Sequence, residues 1–180
     1  MKQKVLLMDE IAVGRALTRL SFEIIEKNKN PENIVLVGIK TRGVPMAKSL
    51  AERIEDHGGP ALPVCELDIT FYRDDLSKLY DMPEVKSQDL SVDINGKNVI
   101  LVDDVIYTGR TIRAAIDAIF SNGRPAKIGL AVLIDRGHRE LPIKPDYVGK
   151  NVPTSRREVV KVAFNDIDGV TEVGLYDMED

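Results

Sequence analysis

Apolar residues recur along the chain with two different periods, and the alternation between them predicts the order of elements. After Asp9, which can cap a first turn, Ile11, Leu17, Leu20, Ile24 and Ile25 fall near one face of a helix running to about Lys27. Residues 34–39 (IVLVGI) form an unbroken apolar run of the length of a buried strand. KTRG then leads into VPMAKSLAERIED, helical in period and stopped at Gly58 and Gly59. Residues 62–72 and 99–102 read as further strands, residues 110–120 as a helix closed by Asn122 and Gly123, and residues 127–134 as another strand. Strand–helix units in this order imply an α/β fold, with a mostly parallel sheet, helices on both faces and right-handed connections.

Two stretches break the pattern. From about residue 72 to 97 the chain is polar and lacks a period of its own, the texture of a functional lid or a disordered segment. From residue 135 turn formers and basic groups dominate, followed by the short strand-like runs EVVKVAF and EVGLY, so residues 135–180 are expected to build a small hood beside the sheet. Without internal repeats or low-complexity linkers, residues 1–180 read as a single domain.

With 43% hydrophobic residues the chain can bury a sizeable core. Its net charge of -4 argues against general attraction to polyanions, so such a partner must be held by a local basic patch. Cys65 is the single cysteine, and His57 and His138 lack metal-ligand spacing. No apolar run approaches the roughly 18 residues needed to span a bilayer, and MKQKVLLMDE lacks the apolar core of a signal peptide, so the expectation is a cytoplasmic protein without membrane contact.

The chemistry concentrates in VILVDDVIYTGRT, residues 99–111. Two adjacent carboxylates repel each other and gain nothing from a core strand, so Asp103 and Asp104 need a ligand-side reason to be there. In open α/β sheets ligands bind outside the carboxyl ends of the strands. Tyr107, Thr108, Gly109, Arg110 and Thr111 follow, supplying hydroxyls, a guanidinium and main-chain N–H groups at a helix N-terminus, where anions are favoured. A ligand with both a vicinal diol and a phosphate would satisfy acids and turn together, and ribose 5-phosphate is such a fragment.

That segment resembles the phosphoribosyl pyrophosphate (PRPP) signature of type I phosphoribosyltransferases: a hydrophobic strand, two acids, two aliphatics and a Thr-Gly turn. LVGIKTRG, LDITFYRDDLS, VDDVIYTGRT and DRGHRELPIKPDYVGKNVPTS together are similar, in order and spacing, to one branch of that family, the bacterial regulators of pyrimidine operon attenuation that are also uracil phosphoribosyltransferases. The resemblance implies the type I fold with lid and hood, and transfer of ribose 5-phosphate from PRPP to uracil, giving UMP and pyrophosphate. It assigns the loop at Lys40 to Gly43, with Thr41 and Arg42, to pyrophosphate, often beside a non-proline cis peptide. Arg73 of the lid joins them, and Asp103 and Asp104 hold the ribose. It places Tyr147 as the aromatic stacking on the base, Val148 as the residue whose backbone reads its edge, and Arg136 near it. Purine-specific relatives carry an acid where Tyr107 stands and a lysine where Asp135 stands; the absence of both favours a pyrimidine. Mg2+ is implied as a passenger on PRPP, touching Asp103 or Asp104 without a protein cage.

The same resemblance implies that leader mRNA of the pyrimidine operon is bound in response to the uridine nucleotides UMP or UTP, by a homodimer or higher homo-oligomer. Seven Lys or Arg against three Asp or Glu lie between residues 136 and 161, among them Arg139, Lys144, Lys150 and Arg156. Arg15, Thr18, Arg19 and Phe22 share a face of the first helix. Two other readings stay open: an RNA-binding regulator with negligible transferase activity, and a purine-type transferase. A P-loop NTPase is excluded by the lack of GK[ST], and a receiver domain by the TGRT turn.

Overall fold

The computed structural model describes residues 2–70 and 90–178. Arg73 and most of the expected lid lie outside these residues. Five strands make a wholly parallel sheet in the order β3 (Val64–Leu67), β2 (Ile34–Ile39), β4 (Asn98–Ile106), β5 (Lys127–Asp135), β6 (Tyr147–Asn151). Every residue of β2 is buried, as a central parallel strand covered on both faces requires. Alternate residues serve opposite faces. Leu36, Ile100 and Val102 pack with α1 (Glu10–Lys27) and α2 (Gly43–Asp56), while Val35, Val37 and Leu101 pack with α3 (Arg110–Asn122).

α1 begins where the sequence places it, the Asp9 carboxylate accepting the Ala12 N–H at 2.8 Å. Its buried stripe is Val13, Ala16, Leu17, Leu20 and Ile24; Ile11, expected on that stripe, is 65% exposed. β3 stops at Leu67, short of residues 68–70 of the expected strand, whose last two residues, 71 and 72, lie outside the described residues. The Asp68 carboxylate accepts both the N–H and the hydroxyl of Thr70, offering the backbone a turn in place of a ladder.

The hood is a separate antiparallel sheet, β1–β8–β7, formed by Lys2–Met8, Glu172–Asp177 and Glu158–Ala163. The N-terminal strand was invisible in the pattern because only Met8 of β1 is buried; the rest is an outer strand held by backbone pairing with β8. Conversely, β6 lies within the residues expected to form the hood but extends the main sheet. Val160, Val162, Phe164, Val173 and Leu175 join the α1–α2 core, seating the hood on that face.

The described end of the expected lid, residues 90–97, is packed down. Ile94 is buried among the α3 residues, the Leu90 N–H donates to the Asn122 side chain, and Asn95 accepts from the Arg124 N–H. No helix among the described residues is long and apolar enough to cross a membrane.

Candidate active site

β2 connects through α2 to β3 on one side of it, and β4 connects through α3 to β5 on the other. The strand order therefore reverses between β2 and β4, the position at which an open parallel sheet leaves a crevice beyond its carboxyl ends. β2 pairs with β4 only as far as Gly38 opposite Val102, whereas β4 continues along β5 to Ile106. Asp103 and Asp104 thus lie inside β4, not at its tip, but at the level where the neighbour on one side has ended.

The gap is a crevice of about 400 Å³ lined by Lys40, Thr41, Asp68, Thr70, Asp103, Asp104 and Thr111, among others. One wall is the loop after β2, where the Lys40–Thr41 peptide is cis. That loop presses against β4: a Cβ on Gly43 would run into the Val102 carbonyl, and one on Gly38 would sit 2.6 Å from the Val44 Cα. The opposite wall is the turn into α3. Gly109, at φ +93°, makes the left-handed step, and the first helical bond runs from the Arg113 N–H to the Gly109 carbonyl at 3.0 Å. The amides before Arg113 stand ahead of the helical ladder at the positive end of the helix.

Burial pushes the Asp103 carboxyl well above the ordinary carboxylate range, and the adjacent Asp104 adds to it; Asp103 is 7% exposed. Asp104 is also raised by burial, against the pull of its hydrogen bonds and of the Arg42 charge. The two Thr70 hydrogen bonds hold Asp68 below its ordinary range. A Lys40 Nζ–Glu66 carboxylate distance of 3.9 Å and a 2.7 Å pair between Arg42 and Asp168 complete the charges around the loop. Among the described residues no cluster of His, Cys, Asp and Glu could cage a metal.

Just before the turn into α3, Tyr107 is 36% exposed, with the Arg136 guanidinium 4.0 Å over its ring and His138 edge-on at 6.0 Å. Arg136 is buried and donates to the carbonyls of Ser155 and Glu158, tying the end of β5 to the hood. The His138 Nε2–H donates to the Thr154 carbonyl, and the Thr154 hydroxyl to the Arg136 carbonyl, so the DRGH and PTS segments interlock. Asp135 accepts from the Gly137 N–H and Arg139. Arg110 pairs with Glu140, and the Thr108 carbonyl accepts from the Glu140 and Leu141 amides, fastening the same loop over the turn.

Two expectations fail on position. Tyr147 opens β6 in register with Ala131 and hence with Val102, four residues short of the sheet's carboxyl edge; it is 4% exposed, faces the α1 core and accepts a hydrogen bond from Asn28. It has no open ring face to offer a base at the crevice. Val148, the next residue of β6, is in register with Val132, three residues short of the end of β5, and its carbonyl accepts from the Arg19 guanidinium at 3.2 Å on the outer edge of the sheet.

The expected RNA-binding residues also do not form one patch. Arg15, Thr18, Arg19 and Phe22 line a shallow groove along α1, and Lys150 lies near it, donating to the Leu7 carbonyl. Lys144 instead borders a groove against α3, Arg139 is spent on Asp135 and on the Tyr107 and Ile143 carbonyls, and Arg156 sits in the turn before β7. Sequence reasoning gave Asp68 and Thr70 no role, although both lie in the LDITFYRDDLS block that carries part of the family resemblance. It also passed over Asp168, for which there was no signal.

A family model for the phosphoribosyl transferase domain matches residues 7–166. The chain is similar to proteins named bifunctional protein PyrR: 59% identical over 177 residues to that of Clostridium perfringens (98% of this chain, 99% of the relative), and 61% over 173 residues to that of Thermoanaerobacter sp. (96% and 97%). Its identity with that of Bacillus subtilis is 56% over 181 residues (99% and 100%). Among solved structures it resembles the Trypanosoma cruzi hypoxanthine phosphoribosyltransferase at TM-score 0.73 and 18% identity (98% of each chain). A Staphylococcus aureus hypoxanthine phosphoribosyltransferase matches at TM-score 0.71 and 21% identity (96% of this chain, 92% of that one). At such identities these two carry the fold alone.

Proposed function

The chain belongs to the phosphoribosyl transferase family, and on that premise we propose that it is a uracil phosphoribosyltransferase and a uridine-nucleotide-responsive attenuator of the pyrimidine operon. The observation that supports this best is the buried acid pair at the strand-order reversal, one crevice wall away from the N-terminus of α3. Asp103 and Asp104 accept from the ribose hydroxyls of PRPP, while the Thr108–Thr111 turn and the first α3 amides hold its 5′-phosphate. Thr41 and Arg42 bind the diphosphate, together with Arg73 from outside the described residues.

In the reaction the uracil N1 forms a bond to the ribose C1, the C1–diphosphate bond breaks with its electron pair leaving on pyrophosphate, and the N1 proton is lost. Positive charge develops on the sugar in between. Two carboxylates fixed beneath it stabilise that charge, and rigid positioning supplies most of the rest. The donor set suits Mg2+ arriving on the diphosphate: hard carboxylate oxygens of Asp103 and Asp104 are at hand, and the chain needs no cage of its own. Bound there, the ion would neutralise leaving-group charge. With Tyr147 and Val148 committed elsewhere, Tyr107 and Arg136 are the base-side residues.

For RNA, Arg15 in the α1 groove is the cation we assign to phosphate contact, because Arg19 there is already paired with Glu23 and with the Val148 and Gly149 carbonyls and Lys150 donates to the Leu7 carbonyl. Pyrophosphate release from PRPP with uracil, against hypoxanthine and orotate, tests the transferase; equal rates with hypoxanthine would refute pyrimidine specificity. Filter binding of a pyrimidine leader stem-loop, with and without UMP, tests the regulator. Affinity no better than for a scrambled hairpin at matched salt would remove that half.

A further inference from the structure

Arg42, at the end of the loop that forms one crevice wall, is held from the hood side. Its Nη2 donates to Asp168 Oδ1 at 2.7 Å, and Asp168 belongs to α4 (Asn165–Asp168), the short turn between the hood strands β7 and β8. The other carboxylate oxygen, Oδ2, accepts the Phe164 N–H at 3.0 Å, and the Asp168 N–H donates to the Phe164 carbonyl at 2.8 Å. The acid is therefore fixed at both ends before it meets the arginine. Arg42 Nε is buried without a partner among the described residues. A buried donor in that state is unfavourable until an acceptor arrives.

A partly exposed ion pair of this kind adds little to stability. Bulk stability is thus a poor account of an acid anchored so firmly. Orientation is a better one: Arg42 has a flexible stem, it directly precedes α2, and its charge reaches Asp104. Resting on the function proposed above, we infer that Asp168 is a positioning residue, holding the Arg42 guanidinium in place for the diphosphate and so coupling the hood to the diphosphate-binding loop.

Asp168→Asn keeps the shape of the side chain and an oxygen for the Phe164 N–H, but removes the charge that orients Arg42. The expected result is a roughly tenfold weaker binding of inorganic pyrophosphate by titration calorimetry and a similar rise in the KM for PRPP. The KM for uracil and the melting temperature should stay near wild type, and Asp168→Glu should recover most of the loss. Arg42→Gln should show the same loss, with the Arg42→Gln/Asp168→Asn double variant no worse than Arg42→Gln alone. Pyrophosphate affinity unchanged in Asp168→Asn, additive losses in the double variant, or a parallel fall in uracil affinity and melting temperature would each overturn the coupling. Absence of pyrophosphate and PRPP binding in the wild-type protein would instead overturn the transferase reading and take this inference with it.

Discussion

The carboxylate of Asp103 accepts the main-chain N–H of Asp104 at 2.9 Å, and the carboxylate of Asp104 in turn accepts the N–H of Val105 at 2.9 Å. Each acid is steered by the amide that follows it, so two like charges are held side by side at the point where β2 no longer covers β4. Such an arrangement is costly unless something approaches to use it. Asp104→Asn is expected to cut UMP formation at least a hundredfold while the protein melts within a few degrees of wild type. A steady-state assay beside a thermal melt checks both halves.

Because burial raises both carboxyls, the folded chain keeps protons at pH values where the unfolded chain has released them. The stability this proton retention contributes is fully present below the ordinary carboxylate range and is lost as pH rises through the raised folded values. Asp103→Asn should therefore be more stable than wild type at neutral pH, by about 3 °C in melting temperature for each kcal/mol relieved. The difference should vanish in acid. Melting curves from pH 3 to 8 for the two proteins decide this.

Activity should run the other way, since the ribose hydroxyls need ionised acceptors. The acid limb of kcat/KM is expected above the ordinary carboxylate range, and Arg42→Gln should move it higher still, because the Arg42 charge lowers Asp104. A pH–rate profile whose acid limb stays in place in Arg42→Gln would contradict that electrostatic link.

Tyr147 belongs to the core on the α1 face. Tyr147→Phe removes one buried hydrogen bond to Asn28, worth about 1 kcal/mol, and should leave the KM for uracil unchanged. Tyr147→Ala should cost about 3 kcal/mol or more in denaturant unfolding. A large rise in uracil KM in the phenylalanine variant would restore the residue to the base site.

Gly43→Ala introduces a methyl group where the Val102 carbonyl already lies, one residue before the acid pair. The loop must retreat from β4, at a cost of roughly 1–3 kcal/mol. Weaker PRPP binding should accompany the loss of stability, whereas Gly58→Ala, with nothing within 4 Å of a new Cβ, should leave PRPP binding intact despite its positive φ. Parallel melts and PRPP titrations distinguish the two sites.

Local chemistry makes much of this protein legible in its sequence. The all-apolar β2, the capped α1 and the acid pair before a Thr-Gly turn depend on residues a few positions apart, and period, capping and charge repulsion act over that range. The crevice itself depends on strand order: only the divergence of β2 and β4 brings Thr41, Asp104 and Thr111 to one wall-lined gap. Register, not residue type, withdrew Tyr147 and Val148 from the base, because an aromatic and a backbone carbonyl look the same in sequence whether they lie at a sheet's carboxyl edge or four residues inside it. β1 escaped because an outer strand is held by backbone bonds, which leave no side-chain pattern. Asp168 meets Arg42 across 126 positions, a distance at which only the packing of hood on sheet chooses neighbours.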